Sequence, residues 1–226
     1  MKLLIGIPAF NEELMIGSVL RSIPKKISGI SSVEVVVVND GSDDHTEKVA
    51  RQCGATVITH IINRGLGGAL KTIFDYAKTT GSDILVTLDA DGQHNPSEIP
   101  ALVKPILNQN VNVVIGSRWK RLKKAPWTRW AINHLANGFT CILFGISTSD
   151  SQSGYRAFDK NSIKQISLKS DGMEVSSEIF SEIVRNKLIF KEVPVEVLYT
   201  SYSLRKGQKL GNAVDVVFQL FIRLFQ

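Results

Sequence analysis

Five apolar runs punctuate the first half of the chain: LLIGIP at 3–8, VEVVVV at 33–38, TVITHII at 56–62, DILVTL at 83–88 and NVVIGS at 112–117. They are largely continuous rather than alternating, the pattern of strands covered on both faces of a parallel sheet. Amphipathic stretches at 11–23, 44–52, 65–79 and 97–107 separate them and read as helices, the second opening on DHTE in the manner of a capping box. Strand and helix in alternation predict an open α/β sheet with right-handed crossovers. Ligands of such sheets sit outside the carboxyl ends of the strands. Four polar loops fall on that edge: PAFNE, VNDGSDD, INRGLGG and LDADGQH.

The second half is less regular. Residues 130–149 carry no Asp, Glu, Lys or Arg, a length that would just span a bilayer. Asn133, His134, Asn137 and Thr140 interrupt the run, so a helix packed on the domain or lying in an interface is expected. A strand over SGYRAFD, a helix over about 176–186 and a strand over LIFKEVPVEVLY follow. The terminal AVDVVFQLFIRLF is apolar nearly all round and reads as a helix that packs on the core or touches a membrane. The organisation is one domain over 1–210, divided near residue 117, with 211–226 as that terminal helix.

Composition narrows the class. The chain has 226 residues, 43% hydrophobic and 21% charged, as expected of a globular domain. Two cysteines, Cys53 and Cys141, are too few for a disulfide framework and imply a reducing compartment. MKLLIGIPAFNEE suits a first strand better than a signal peptide. The net charge of +6 is concentrated in RWKRLKKAPWTRW, residues 118–130, which holds six basic residues and all three tryptophans. Read as a loop exposing its aromatics, it has the composition of a membrane-surface contact. Stacking on nucleic acid is the less favoured reading.

Chemistry enters at LDADGQH, where Asp89 and Asp91 stand one residue apart at a strand tip. Like charges so placed resist joint ionisation unless a cation lies between them, and a divalent metal is the candidate. Asn39 and Asp40 end the second strand, and Asp40 and Glu12 are placed to accept from a nucleobase N–H or ribose hydroxyls. GLGGAL lacks the third glycine of a dinucleotide fingerprint and lies in the third turn rather than the first, so a nicotinamide site is discarded. Its glycines allow a close helix start beside a ligand, or tight packing.

PAFNE, VVVNDGSDD, NRGLGGAL, DADGQHNP, GSR, DSQSGYRAF and RKGQKL occur in this order over nearly the whole chain. In this the sequence resembles the inverting family 2 glycosyltransferases of the GT-A nucleotide-sugar-binding fold. Within them it is most similar to dolichyl-phosphate mannose synthase and related polyprenyl-phosphate glycosyltransferases. The resemblance implies a mostly parallel central sheet with flanking helices. It implies that Asp89 and Asp91 bind Mg²⁺ or Mn²⁺ with Gln93 as a further ligand, the triplet Asp89, Ala90 and Asp91 facing the donor diphosphate. Pro8, Phe10, Glu12, Val38 and Asp40 would line the nucleoside, Phe10 standing where a tyrosine is common. Arg118 and Arg129 would meet the acceptor phosphate, and Asp150 would orient acceptor-side groups rather than take a proton. Arg205 and Lys209, in a motif one residue shorter than the mannose synthase pattern, would close over the donor phosphates.

The expectation is therefore a metal-dependent enzyme transferring sugar from a UDP- or GDP-sugar to a polyprenyl phosphate. It would be peripheral to the cell membrane on the cytosolic face and would bind no nucleic acid. The paired transmembrane helices familiar in the family are absent, so the chain reads as a peripheral or truncated form. A family 2 enzyme with a hydroxyl acceptor is the alternative. A sugar nucleotidyltransferase is disfavoured because PAFNEE is not a Gly- and Arg-rich triphosphate loop, and a non-catalytic binding module because both aspartates are retained.

Overall fold

A computed structural model describes residues 1–109, 111–119 and 127–198, with backbone alone at 109, 127–132, 136 and 139. Seven strands and seven helices follow one another as β1 (Lys2–Ala9), α1 (Ile16–Arg21), β2 (Ser32–Asn39), α2 (Thr46–Gln52), β3 (Thr56–Thr59), α3 (Gly65–Thr80), β4 (Ile84–Thr87), α4 (Ile99–Gln109), β5 (Val113–Ser117), α5 (Trp127–Phe144), β6 (Arg156–Asp159), α6 (Lys160–Gln165), α7 (Val175–Arg185) and β7 (Phe190–Pro194) among the described residues. The strands form one sheet in the order β3-β2-β1-β4-β6-β5-β7. All neighbours are parallel except that β6 runs antiparallel between β4 and β5.

The continuous apolar runs are explained by two cores, one on each face. Leu3, Ile5 and Ile7 of β1 point to the side of Ile16, Val19, Leu102 and Val103, whereas Leu4 packs with Ile73, Phe74, Ile179 and Phe180. β4 divides the same way, Ile84 and Val86 to the first core and Leu85 to the second. Successive strand side chains alternate faces, so a strand apolar at every position is covered twice. Each fully buried Leu, Ile or Phe contributes about 1.5–3 kcal/mol.

The chain winds outward from β1 to β3, then crosses to the other side of β1 with β4. That reversal opens a crevice at the carboxyl ends of β1 and β4. The antiparallel β6 begins at the same edge, so residues 150–155 reach the crevice from the opposite chain direction.

Several elements are shorter than the apolar pattern predicts. Helix α1 starts at Ile16 rather than near 11, because Asn11 is left-handed (φ 53°) and the Glu12 and Glu13 amides donate to Thr46 Oγ1 and Asp44. Strand β3 ends at Thr59: His60 N still donates to Asn39 O, and beyond it the chain turns so that the Arg64 and Gly65 amides meet Asp40. The DHTE box is not formed as such: Asp44 Oδ1 accepts from Thr46 N at 2.9 Å, and His45 makes no side-chain cap. The stretch 118–130 is not one exposed loop, because Trp119 is half-buried and α5 begins at Trp127. The side chains of Arg129, Trp127 and Trp130, with Arg205, Lys209 and the terminal helix at 211–226, lie outside the described residues.

The described side chains of α5 are mixed, with Phe144 packed against the second core and His134 exposed. Asn133 and Thr140 are buried, and Asn133 and Asn137 both donate to Ser149 O (3.0 and 2.8 Å), while Leu135 and Ile142 are exposed. Among the described residues no helix is long and apolar enough to cross a membrane.

The glycines of GLGGAL serve packing. Gly65 has φ +85°, and the amides of Gly67 and Gly68 donate to Asp171 O at 2.8 and 3.2 Å. A Cβ at Gly67 would overlap Ser170 O and lie 2.8 Å from the Asp171 carbonyl carbon, both backbone atoms that cannot turn aside. Gly67→Ala is therefore expected to destabilise by about 1–3 kcal/mol. Gly138→Ala, in α5 with nothing within 4 Å of the new methyl, is expected to stabilise by about 0.5–1 kcal/mol. Thermal or urea melts of the two variants check the pair; equal effects of one sign would refute this account of the α3 start.

Candidate active site

The crevice is a cavity of about 520 Å³ lined from eight segments of chain. The β1–α1 turn contributes Pro8, Phe10 and Glu12, and the end of β2 contributes Asp40. Residues 63–65 close that side. Asp40 is nearly buried and accepts from the amides of Arg64 (2.9 Å) and Gly65 (2.7 Å) and from His60 Nδ1 (2.6 Å). Val38, expected beside them, does not line the cavity. Its side chain is fully buried in the second core with Leu4 and Ala69, because strand alternation turns it away from the edge.

The two aspartates follow β4. Asp89 accepts from His94 Nε2 at 3.1 Å, and Asp91 accepts from Gln93 N (2.9 Å) and Gln93 Nε2 (2.6 Å). Their carboxyls are driven apart. Burial alone would raise that of Asp89, but the His94 hydrogen bond and the charges of His94, Arg118 and Arg156 outweigh it and hold it low. Burial and the Asp89 charge push that of Asp91 up. A pair in which one carboxylate resists ionisation because of the other is a site that a cation would relieve. Among the described residues no group of three or more His, Cys, Asp and Glu is disposed to hold a metal. Two carboxylates therefore fit a hard divalent cation only if the ligand supplies further oxygens, as a diphosphate does. Gln93 gives its amide nitrogen to Asp91, so Oε1 is the atom it would turn to a cation.

The far wall carries Arg118, Trp119 and Asn133. Arg118 donates from its backbone N (3.0 Å), Nε (2.8 Å) and Nη2 (2.7 Å) to Asp150, which is wholly buried. Asp150 thus stands behind Arg118 and out of the cavity. The loop that holds it is itself tied: Glu192 accepts from Thr148 Oγ1 and Ser149 N, and Ser149 O accepts from α5.

Three residues of this architecture carry no signal of their own in composition or periodicity. His94 is buried against Tyr155 (ring centroids 5.0 Å apart) and holds Asp89. At Gly154 a Cβ would strike the Asp89 carboxylate, lying 2.7 Å from Oδ2. Arg156, fully buried, donates from Nη2 to Ser151 O (2.9 Å) and Ser176 O (3.4 Å), and its Nε has no partner. Burial lowers its guanidinium to about 10, against the charges of Asp89 and Asp150, which favour the cation. All three lie inside motifs, DADGQH and SGYRAF, in which order along the chain was the only clue.

Residues 4–168 match the model of the Glycosyl transferase family 2 domain. The chain is 35% identical to a Methanococcus voltae protein named UDP-N-acetylglucosamine–dolichyl-phosphate N-acetylglucosaminyltransferase, over 96% of this chain and 92% of that one. It is 29% identical to the polyprenol monophosphomannose synthase of Mycolicibacterium smegmatis, over 97% and 87%. Among solved structures, glucosyl-3-phosphoglycerate synthase of Mycobacterium tuberculosis, with Mn²⁺, UDP-glucose and phosphoglyceric acid, superposes with a TM-score of 0.75 over 99% of this chain and 78% of that one. At 22% identity that likeness bears on the fold, which is the GT-A arrangement. A crevice at the sheet's switch point, a split aspartate pair on its edge and a family model spanning most of the length agree: the chain belongs to glycosyl transferase family 2.

Proposed function

We propose that this glycosyltransferase moves a sugar from a UDP- or GDP-sugar to a polyprenyl phosphate, inverting the anomeric centre, at the cytosolic face of a membrane. The observation that carries the reading is the Arg118–Asp150 fork, a guanidinium presented to the cavity across from the aspartate pair. The names of the relatives from Methanococcus and Mycolicibacterium support the lipid phosphate acceptor.

Pro8, Phe10, Glu12 and Asp40 hold the nucleoside in this reading. Asp89 and Asp91, with Gln93, would hold Mg²⁺ or Mn²⁺, which supplies positive charge to the departing diphosphate; the Mn²⁺ of the structural neighbour supports this. Ala90, between them, brings its backbone close to the donor. Arg205 and Lys209 would cover the donor phosphates, and Arg129 would join Arg118 on the acceptor phosphate.

The acceptor side works without a base. Transfer to a hydroxyl requires a group that removes its proton. A phosphate monoester is already a dianion above its second pKa of about 6 and attacks unaided. It needs a cation of fixed direction, and Asp150 fixes Arg118 through two side-chain hydrogen bonds. Asp150 is buried and occupied, so its role is to orient. For the membrane, the basic segment 118–130 and the outward Leu135 and Ile142 of α5 offer a charged and an apolar contact.

Asp91→Asn is expected to lower transfer by about a hundredfold or more while leaving the melting temperature close to native. Full turnover in excess EDTA would remove the metal from the mechanism.

Arg118→Lys keeps the charge but loses the planar fork, and a drop of about tenfold to a hundredfold in kcat/KM is expected. The native kcat/KM for polyprenyl phosphate should rise through about pH 6 and then stay level, following the acceptor's own ionisation. Asp150→Asn should lower that plateau without moving the rise. A rise at a clearly different pH that vanishes in Asp150→Asn would make Asp150 a base and the acceptor a hydroxyl.

Leu135→Glu with Ile142→Glu is expected to weaken sedimentation with anionic liposomes, and high salt to weaken it further through the basic segment. Binding unchanged by both would place the membrane contact elsewhere.

A further inference from the structure

The nucleoside end of the cavity contains a nearly buried polar chain that sequence reading did not anticipate. His60 follows β3, its side chain only 9% exposed, with Nδ1 2.6 Å from Asp40 Oδ1 and Nε2 2.9 Å from Thr72 Oγ1. The Thr72 hydroxyl lies 3.1 Å from Gly68 O, one turn earlier in α3.

The tautomer follows from the partners. Asp40 already takes two backbone N–H groups and is an acceptor, so the proton between the pair sits on His60 Nδ1. Thr72 completes the other end in either charge state of the ring. Its hydroxyl donates to a bare Nε2, or turns to Gly68 O and accepts from Nε2–H. In both, Nδ1–H donates to Asp40.

The remaining capacity of Asp40 can then be counted. A carboxylate offers about four acceptor positions. Oδ1 receives His60 Nδ1 and Arg64 N, and Oδ2 receives Gly65 N, which leaves one position on Oδ2 of a residue that lines the cavity. We infer that His60 is a positioning residue for the nucleobase, holding Asp40 so that this last position meets the ring N–H of a uracil or guanine and disfavours cytosine, whose ring nitrogen at that edge is itself an acceptor. The inference rests on the reading that Asp40 faces the nucleoside.

Isothermal titration of the full chain in Mn²⁺ with UDP, GDP, CDP and inorganic pyrophosphate tests it. His60→Leu should weaken the tighter of UDP and GDP by about tenfold to a hundredfold, the loss of one hydrogen bond to a charged group. CDP and pyrophosphate affinities should hold, so that selectivity narrows. His60→Asn, whose Nδ2 replaces Nδ1 beside Asp40, should recover most of the loss. His60→Gln, which reaches Thr72 instead, should not, and it stands in for the leucine variant if that one fails to fold. Native base selectivity in His60→Leu or His60→Gln, alongside its loss in Asp40→Asn, would overturn the inference and leave the nucleoside reading intact. A pyrophosphate affinity that falls in step with the nucleotides would overturn it too, by showing general damage. Native nucleotide binding in Asp40→Asn would overturn the nucleoside reading itself and the inference with it.

Discussion

Asp89 and Asp91 repel one another at the tip of β4, and much of the surrounding structure can be understood as managing that repulsion. His94 and the charges of Arg118 and Arg156 keep the first carboxyl ionised, while the second is pushed up by burial and by its neighbour. Placing these groups together at a half-buried edge is unfavourable in isolation. It is tolerated because the strands beneath are buried on both faces, so the backbone that carries the charges has little freedom to move away. The same arrangement sets two acids side by side on the cavity wall.

The antiparallel β6 is the device that brings residues of the second half of the chain to this edge. Running opposite to β4 and β5, it delivers Gly154 against Asp89, Arg156 beneath the cavity wall and Asp150 behind Arg118 within a few residues of chain. A parallel strand in that place would have sent the same residues to the other end of the sheet. The separation between two sets of acids also follows from it. Asp89 and Asp91 face the cavity, and Asp150 is sealed behind a guanidinium, so one set can meet a ligand and the other can only hold its neighbour.

The sheet and its loaded edge were legible because they depend on local pattern. Continuous apolar runs ending in polar loops fix both the strands and the end at which ligands gather, and Asp40, Asp89 and Asp91 lie where that reasoning puts them. What escaped depends on contacts distant in sequence. The direction of β6 is set by its partners, and RAFD has the same pattern either way. Asn11 ends the helical pattern early through a left-handed backbone that no periodicity announces. Val38 belongs to an apolar run whose facing depends on register, and register put it in the core. Gly154 and His94 matter through atoms of Asp89 that lie five or many more residues away.

Helix α5 shows why hydropathy alone misleads in this second half. Its run without charge suggests a helix that hides its apolar residues in the protein and shows its amides to water. Its described side chains are mixed: Asn133 and Thr140 are buried and Phe144 packs on the second core, while His134 is exposed. Asn133 and Asn137 both donate to the carbonyl of Ser149, next to the acid that holds Arg118. Leu135 and Ile142 of the same helix stand exposed. The loop that anchors the cavity's guanidinium is thus tied to a helix that also exposes apolar side chains.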